Sequence, residues 1–162
     1  MALIRRSEER IEACFDPKRQ VYTQAVGVDH LDASGLQLIS LHYLDCRSPR
    51  AAAHLAALER ELKADHGLFF RYLHADDFGR PQATFLGTAF WYVEALACVG
   101  RVDEAMAAVE SLLGHANHLG LFSEDVDLQG GQWGNFPQTY SHVGLLNAVY
   151  RIARKLDQPI FF

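Results

Sequence analysis

The sequence lacks any apolar run approaching about 20 residues, the length that a membrane-spanning helix needs. The first ten residues, MALIRRSEER, are charged before any long apolar stretch, which is not typical of a signal peptide. Basic clusters are also missing, because the 15 lysines and arginines are spread along the chain and the formal net charge is −5. We therefore expect neither a membrane nor a nucleic acid as a partner.

Cysteine is scarce. Cys14, Cys46 and Cys98 are far apart, odd in number and set in apolar surroundings, which predicts reduced, packed thiols and a cytoplasmic protein. No Cys or His pair at zinc-site spacing is backed by a second pair, so we expect no metal and no cofactor. The composition, 49% hydrophobic and 22% charged, predicts a single globular domain over residues 1–162.

Apolar residues at helical spacing, with caps and prolines near their starts, predict an all-α chain. Three segments are apolar on most sides and should be buried inner helices, whereas two have a charged face and should be outer helices. The predicted helices run from Met1 to Cys14, Asp32 to about Leu44 (inner), Ser48 to about Ala64 (outer), Thr84 to Gly100 (inner), Asp103 to about His118 (outer) and Pro137 to about Leu156 (inner).

These helices recur with a period. The inner helices begin at Asp32, Thr84 and Pro137, at spacings of 52 and 53 residues, and the Gly-Leu-Phe triplets at Gly67 and Gly120 are 53 residues apart. Two chance triplets are the alternative, but the matching helix starts favour stacked helical hairpins. A closed ring of six such hairpins would need about twice this length, so the chain holds about three. The apolar residues 159–162 add an exposed edge that predicts association.

The connection Leu119–Asn135 is long and combines carboxylates with an aromatic ring. Glu124, Asp125 and Asp127 precede Trp133 in a glycine-rich stretch. Carboxylates beside an aromatic ring suit sugar binding and glycosidic hydrolysis, whereas a solvated acidic turn is the alternative.

The segment GLFSEDVDLQGGQWGNFPQTYSHVGLLNAVYRIAR resembles the C-terminal signature of glycoside hydrolase family 15, which comprises glucoamylases, glucodextranases and a branch of trehalases. HLDASGLQLISL, GLFFRY and ATFLGTAFWYVEALACVGRVDEA resemble the same family in the same order, so the resemblance runs from about Phe15 to Arg154. It implies a partial (α/α)6 barrel, roughly half a toroid of about three hairpins. It also implies that Glu124, the glutamate of the Gly-Leu-x-x-Glu segment, is the catalytic base.

The family cleaves α-glucosidic bonds with inversion, using an acid and a base about 6.5–9.5 Å apart on opposite faces of the sugar. The family's acid lies in an upstream segment that reads roughly Gly-Ile-Trp-Glu, and no segment here matches it, since Trp91 and Trp133 fall in other motifs. Loss of a general acid costs about 10²–10⁴-fold in rate. We therefore expect this chain to be inactive alone.

Four further residues are candidates for substrate binding. Asp32 begins an inner helix and either faces a sugar or only caps the helix, and Arg71 matches a family arginine near the substrate or forms a surface ion pair. Trp133 either stacks on a sugar or closes its loop. His142, one turn into the last helix, either points into the funnel of the barrel or is a hydrogen-bonded core histidine.

Two functions follow. The chain is either part of an enzyme that binds an α-glucan or glucoside and associates with a chain supplying the missing half, or a non-catalytic helical or carbohydrate-binding module that forms homo-oligomers.

Overall fold

A computed structural model describes residues 2–157, so the apolar end at 159–162 lies outside the described residues. The expected helix-rich fold is confirmed, although some helices are shorter than predicted. Two short 3-10 turns accompany the helices, at Ala33–Leu36 and Asp65–Gly67. The α-helices are α1 (Ala2–Glu12), α2 (Gln37–Ser40), α3 (Pro49–Leu62), α4 (Leu86–Cys98), α5 (Val102–Leu113) and α6 (Thr139–Lys155).

Two small antiparallel sheets, which the all-α prediction did not include, lie in the connections. The first pairs β1 (Phe15–Asp16) with β2 (Val21–Tyr22). The second has the order β3-β4-β5, with β3 at Ala83–Phe85, β4 at Asp125–Asp127 and β5 at Gln132–Trp133. Pairing of β3 with β4 places the start of α4 against the acidic connection.

Helix α4 is the centre of the fold. All but one of its 13 residues are buried, because α2, α5 and α6 pack around it. Its closest neighbour is α6, where a Cβ on Gly144 would lie 2.9 Å from the Cβ of Phe90. Only glycine therefore allows the two helices to approach this closely. An ion pair from Arg151 of α6 to Glu94 of α4, 2.9 Å long, fixes the same contact.

The predicted caps hold at two of the helix starts. The Asp32 carboxylate accepts a hydrogen bond from the backbone N–H of Ser34, and the Ser48 hydroxyl accepts one from that of Ala51. The helix that follows Asp32 is shorter than predicted, because α2 ends at Ser40 and His42 adopts a positive φ of 60°. Such a backbone conformation cannot continue a right-handed helix.

The predicted starts of the two later inner helices are wrong. Thr84 does not cap α4; it lies in β3, and its hydroxyl donates to the backbone carbonyl of Val126. Pro137 does not open α6, because Gln138 is the N-cap and the first helical residue is Thr139. Helix α5 also ends early, at Leu113 rather than near His118. Strand pairing with β4 thus decides the boundary at Thr84, whereas the local cap at Gln138 decides the start of α6.

The inner helices α4 and α6 differ in how much of their surface is buried. Helix α4 is enclosed, as predicted, but α6 is buried only along Ser141, Gly144, Ala148 and Ile152. The prediction that α6 is buried on most sides is therefore wrong for the described residues.

Among the helices of residues 2–157, none is long and apolar enough to cross a membrane.

Candidate functional site

Glu124 lies just before β4 and is fixed through its backbone on two sides. Its N–H donates to the carbonyl of Asn135, and its carbonyl accepts from the N–H of Leu86, the first residue of α4. The first contact joins Glu124 to the end of the β4–β5 hairpin, and the second joins it to the start of α4. Both elements therefore fix the position of its backbone.

The carboxylate of Glu124 is held by one residue. Its Oε2 accepts hydrogen bonds from the backbone N–H and the side-chain Nδ2 of Asn135, at 3.0 and 2.8 Å. No donor to Oε1 is recorded among residues 2–157. Two donors on one oxygen fix the carboxylate plane and leave the other oxygen able to accept a proton. Asn135 was not among the site residues predicted from the sequence, although it lies within the segment that resembles family 15.

Gly134 makes room for this arrangement. It has a φ of +76°, and a Cβ placed on it would lie 2.8 Å from both Cβ and Oε2 of Glu124. Any other residue would push against the carboxylate and would also occupy a backbone region that disfavours side chains.

The hairpin between β4 and β5 is held together by Asp127. Its carboxylate accepts from Trp133 Nε1 at 2.7 Å and from the backbone N–H groups of Gln129 and Gly131. The indole hydrogen bond, followed by these backbone hydrogen bonds, keeps the pKa of Asp127 below its usual value. Trp133 is nevertheless 61% exposed, so its edge is fixed while the ring remains accessible.

Asp125 is the neighbour of Glu124 along the chain and lies in β4. Burial raises the pKa of its carboxyl to about 6, and the charge of Glu124 adds to the shift. The fold therefore disfavours the ionised form of the Asp125 carboxyl.

Asp32 and Arg71 form an ion pair in which the carboxylate is buried and the arginine side chain is partly exposed. The Arg71 Nε donates to both oxygens of Asp32, at 3.0 and 2.9 Å, and the backbone carbonyl of Arg71 accepts from the N–H of Ala33. Asp32 is 4% exposed, whereas the Arg71 side chain is 45% exposed. Asp32 is thus both a helix cap and the anchor of the arginine. Within the described residues, the terminal nitrogens of Arg71 have no recorded hydrogen-bond acceptor.

His142 has the features of a core histidine. Its Nδ1 lies 2.7 Å from the carbonyl of Gln138, and its ring packs edge-on against Phe122. Its Nε2 is buried without a hydrogen-bond partner among the described residues. Since a carbonyl can only accept, the Nδ1–H donates this hydrogen bond.

A row of backbone hydrogen bonds brings the candidate segments to one end of the helices. The carbonyl of Phe69 accepts from Phe85, and that of Phe122 accepts from Gln138. With the bonds from Ala33 to Arg71 and from Leu86 to Glu124, these contacts connect the segments before α2, α4 and α6. The Asp32–Arg71 pair and the Glu124–Trp133 hairpin therefore lie along the same row, and His142 follows one turn into α6.

Residues 3–150 match the model of the glycosyl hydrolases family 15, and the chain therefore belongs to this family. It is 39% identical over 145 residues to a trehalase of Thermoplasma acidophilum, covering 89% of this chain and 24% of that protein. It is 36% identical over 154 residues to a trehalase of Thermoplasma volcanium, covering 94% and 24%, and 38% identical over 144 residues to a trehalase of Mycobacterium tuberculosis, covering 86% and 21%. The chain thus spans about a quarter of the length of these relatives.

Solved structures agree on the fold. A wild-type glycosidase superposes with a TM-score of 0.76 at 19% identity, and a variant of a glycosidase in complex with glucose does so with the same TM-score at 18% identity. Each match covers 98% of this chain and 44% of the other. The fold is therefore that of part of a larger glycosidase chain.

Proposed function

We propose that this member of family 15 is the base-bearing part of an inverting α-glucosidase of the trehalase type, with Glu124 as general base. The observation that carries the proposal is the anchoring of one Glu124 oxygen by Asn135, which leaves the other without a recorded donor. A general base needs this combination of fixed orientation and a free lone pair on the oxygen that takes the proton from water.

Trehalose or a related α-glucoside is the proposed substrate, and the wider α-glucan class is its alternative. Support comes from the named relatives, which are trehalases, and from groups suited to a neutral sugar. The exposed guanidinium of Arg71 offers donors to hydroxyl groups, and the face of Trp133 offers a stacking surface. The buried carboxylate of Asp32 holds the arginine in one orientation, which reduces the entropy lost on binding.

The architecture we propose is about half of an (α/α)6 barrel. The inner helices α2, α4 and α6 lie side by side, and their starts share the row of backbone hydrogen bonds that holds Glu124. No segment of residues 1–162 matches the family's acid segment. The acid must then come from outside these residues, and the chain alone should have no turnover.

The experiment compares the chain alone with the chain combined with the remainder of a family 15 trehalase. Alone, it should release no glucose from trehalose, maltose or starch. In the complete assembly, proton NMR should show β-glucose as one first-formed product, because inversion of an α-linkage gives the β-anomer. Glu124→Gln should lower the rate by about 10²–10⁴-fold. The matched control, Glu110→Gln on the exposed side of α5, should leave it unchanged.

Turnover by the chain alone, or full activity of the Glu124→Gln assembly, would contradict the proposal. A carbohydrate-binding module without catalysis is the second candidate, and the exposed ring of Trp133 favours it. In that case calorimetry should detect maltose binding that Trp133→Ala removes, while the complete assembly stays inactive.

A further inference from the structure

His54 is a fully buried histidine that joins two connections beside the Asp32–Arg71 pair. It lies on α3. Its Nδ1 is 3.2 Å from the backbone nitrogen of Tyr22 in β2, and its Nε2 is 2.9 Å from the carbonyl oxygen of Gly35. The ring therefore connects both β2 and the 3-10 turn at Ala33–Leu36 to the same helix.

The two contacts fix which ring nitrogen of His54 carries the proton. A backbone N–H can only donate, so Nδ1 accepts from Tyr22, and a carbonyl can only accept, so the Nε2–H donates to Gly35. Burial lowers the pKa of His54, in keeping with a neutral ring that has one donor and one acceptor. Both nitrogens thus have their partners within the protein.

The ring also packs directly against the 3-10 turn. A Cβ placed on Gly35 would lie 3.3 Å from both Cε1 and Nε2 of His54, which is closer than an ordinary van der Waals contact. The Tyr22 ring meets the imidazole edge-on from the other connection, with centroids 5.4 Å apart. The absence of a side chain at Gly35 therefore lets the turn lie against the ring.

The turn held by His54 is the one that orients Arg71. The Asp32 carboxylate accepts from the backbone N–H of Ser34 at 2.7 Å and from the Nε of Arg71. The backbone carbonyl of Asp32 accepts from the N–H of Gly35 at 2.9 Å. A shift of Gly35 is thus passed through Asp32 to the guanidinium.

We propose that His54 is a positioning residue for sugar binding: its Nε2–H holds the turn that carries Asp32, and this turn fixes the direction of the Arg71 guanidinium. The inference rests on the proposed function, since it assigns Arg71 to the sugar. His54 itself does not touch the ligand, because it is buried and both of its ring nitrogens are bonded to backbone groups. Its effect on affinity must therefore pass through Arg71.

Two amide substitutions separate the roles of the two ring nitrogens. Glutamine places a side-chain N–H near the position of Nε2, whereas asparagine places its amide near that of Nδ1. His54→Gln should therefore keep the hydrogen bond to Gly35, and His54→Asn should lose it while keeping an acceptor for Tyr22.

Proton–nitrogen NMR of the Arg71 Nε–H in residues 1–162 reads the ion pair directly, and Arg71→Lys identifies the signal by its loss. Exchange of this proton with water should be about tenfold faster in His54→Asn and close to that of the parent chain in His54→Gln. If His54→Asn does not fold, Gly35→Ala replaces it. Its added methyl pushes the turn away from the ring and should also speed the exchange.

Leu58→Ala is the matched control. Leu58 is fully buried one turn further along α3, and its Cδ1 would lie 3.5 Å from a Cβ on Gly35. The substitution removes core packing but no hydrogen bond, so it should lower stability and leave the Arg71 exchange unchanged. Circular dichroism of each variant checks folding, and only variants with the parent spectrum are compared.

Calorimetric titration with trehalose tests the route from His54 to the sugar. His54→Asn should weaken binding about tenfold in the parent chain and add nothing in an Arg71→Ala background, because the histidine acts through the arginine. Equal weakening in both backgrounds would overturn the inference. So would unchanged Arg71 exchange in His54→Asn, or an equal rise in His54→Asn and Leu58→Ala. Faster exchange in His54→Asn alone, without trehalose binding by the parent chain, supports the positioning of Arg71 and contradicts the proposed function.

Discussion

Replacing Asp125 with asparagine should stabilise the protein at neutral pH. Burial raises the pKa of Asp125 to about 6, from an ordinary value of 3.8, so the folded state opposes its ionisation. Below pH 3.8 the carboxyl is protonated in both the folded and the unfolded protein, so its burial does not lower the free energy of unfolding. Between pH 3.8 and about pH 6 the loss of stability grows as the unfolded protein ionises, and above about pH 6 the loss is complete. The side chain therefore lowers stability as pH rises from about 4 to 6.

The pKa difference corresponds to at most about 3 kcal/mol at 1.36 kcal/mol per pH unit. Because the carboxyl is only about half buried, solvent screening reduces this to roughly 1–2 kcal/mol. Asp125→Asn should then match the parent near pH 4 and exceed its free energy of unfolding by roughly 1–2 kcal/mol at pH 7. Asparagine keeps the shape of the protonated acid, so packing should not change.

Urea denaturation followed by circular dichroism at pH 4, 5, 6 and 7 measures the difference. Asp77→Asn, which makes the same substitution at an exposed position, is the matched control. Asp127 acts in the opposite direction, because its pKa is lowered and its stabilisation is lost as pH falls through the acid range. A constant difference between Asp125→Asn and the parent across this pH series would refute the reasoning.

Two further substitutions test the geometry of the site. Arg71→Ala should lower the free energy of unfolding by about 1–3 kcal/mol, because it leaves the buried Asp32 carboxylate without its cation, whereas Arg71→Lys should recover part of the loss; thermal denaturation measures both. Gly134→Ala should cost about 1–3 kcal/mol through its positive φ and its clash with Glu124, and urea titration that shows no loss would contradict the close approach.

The local parts of the fold could be predicted because they depend on neighbouring residues. The caps at Asp32 and Ser48 use side chains that reach backbone N–H groups two or three residues ahead. The end of α4 near Gly100 follows from a glycine with a φ of 90°. Glu124 could be named as a candidate site residue from a family motif, but the anchoring of its Oε2 could not, because Asn135 is 11 residues away and approaches only through the hairpin.

The sequence by itself determined the helix-rich character and the family, since each depends on residue type and spacing. Tertiary structure alone decided that Thr84 lies in a strand, because its hydroxyl bonds to Val126, 42 residues away. It also decided that α6 is half open. Apolar spacing marks a surface that can be buried, but only the position of neighbouring helices shows whether that surface is covered.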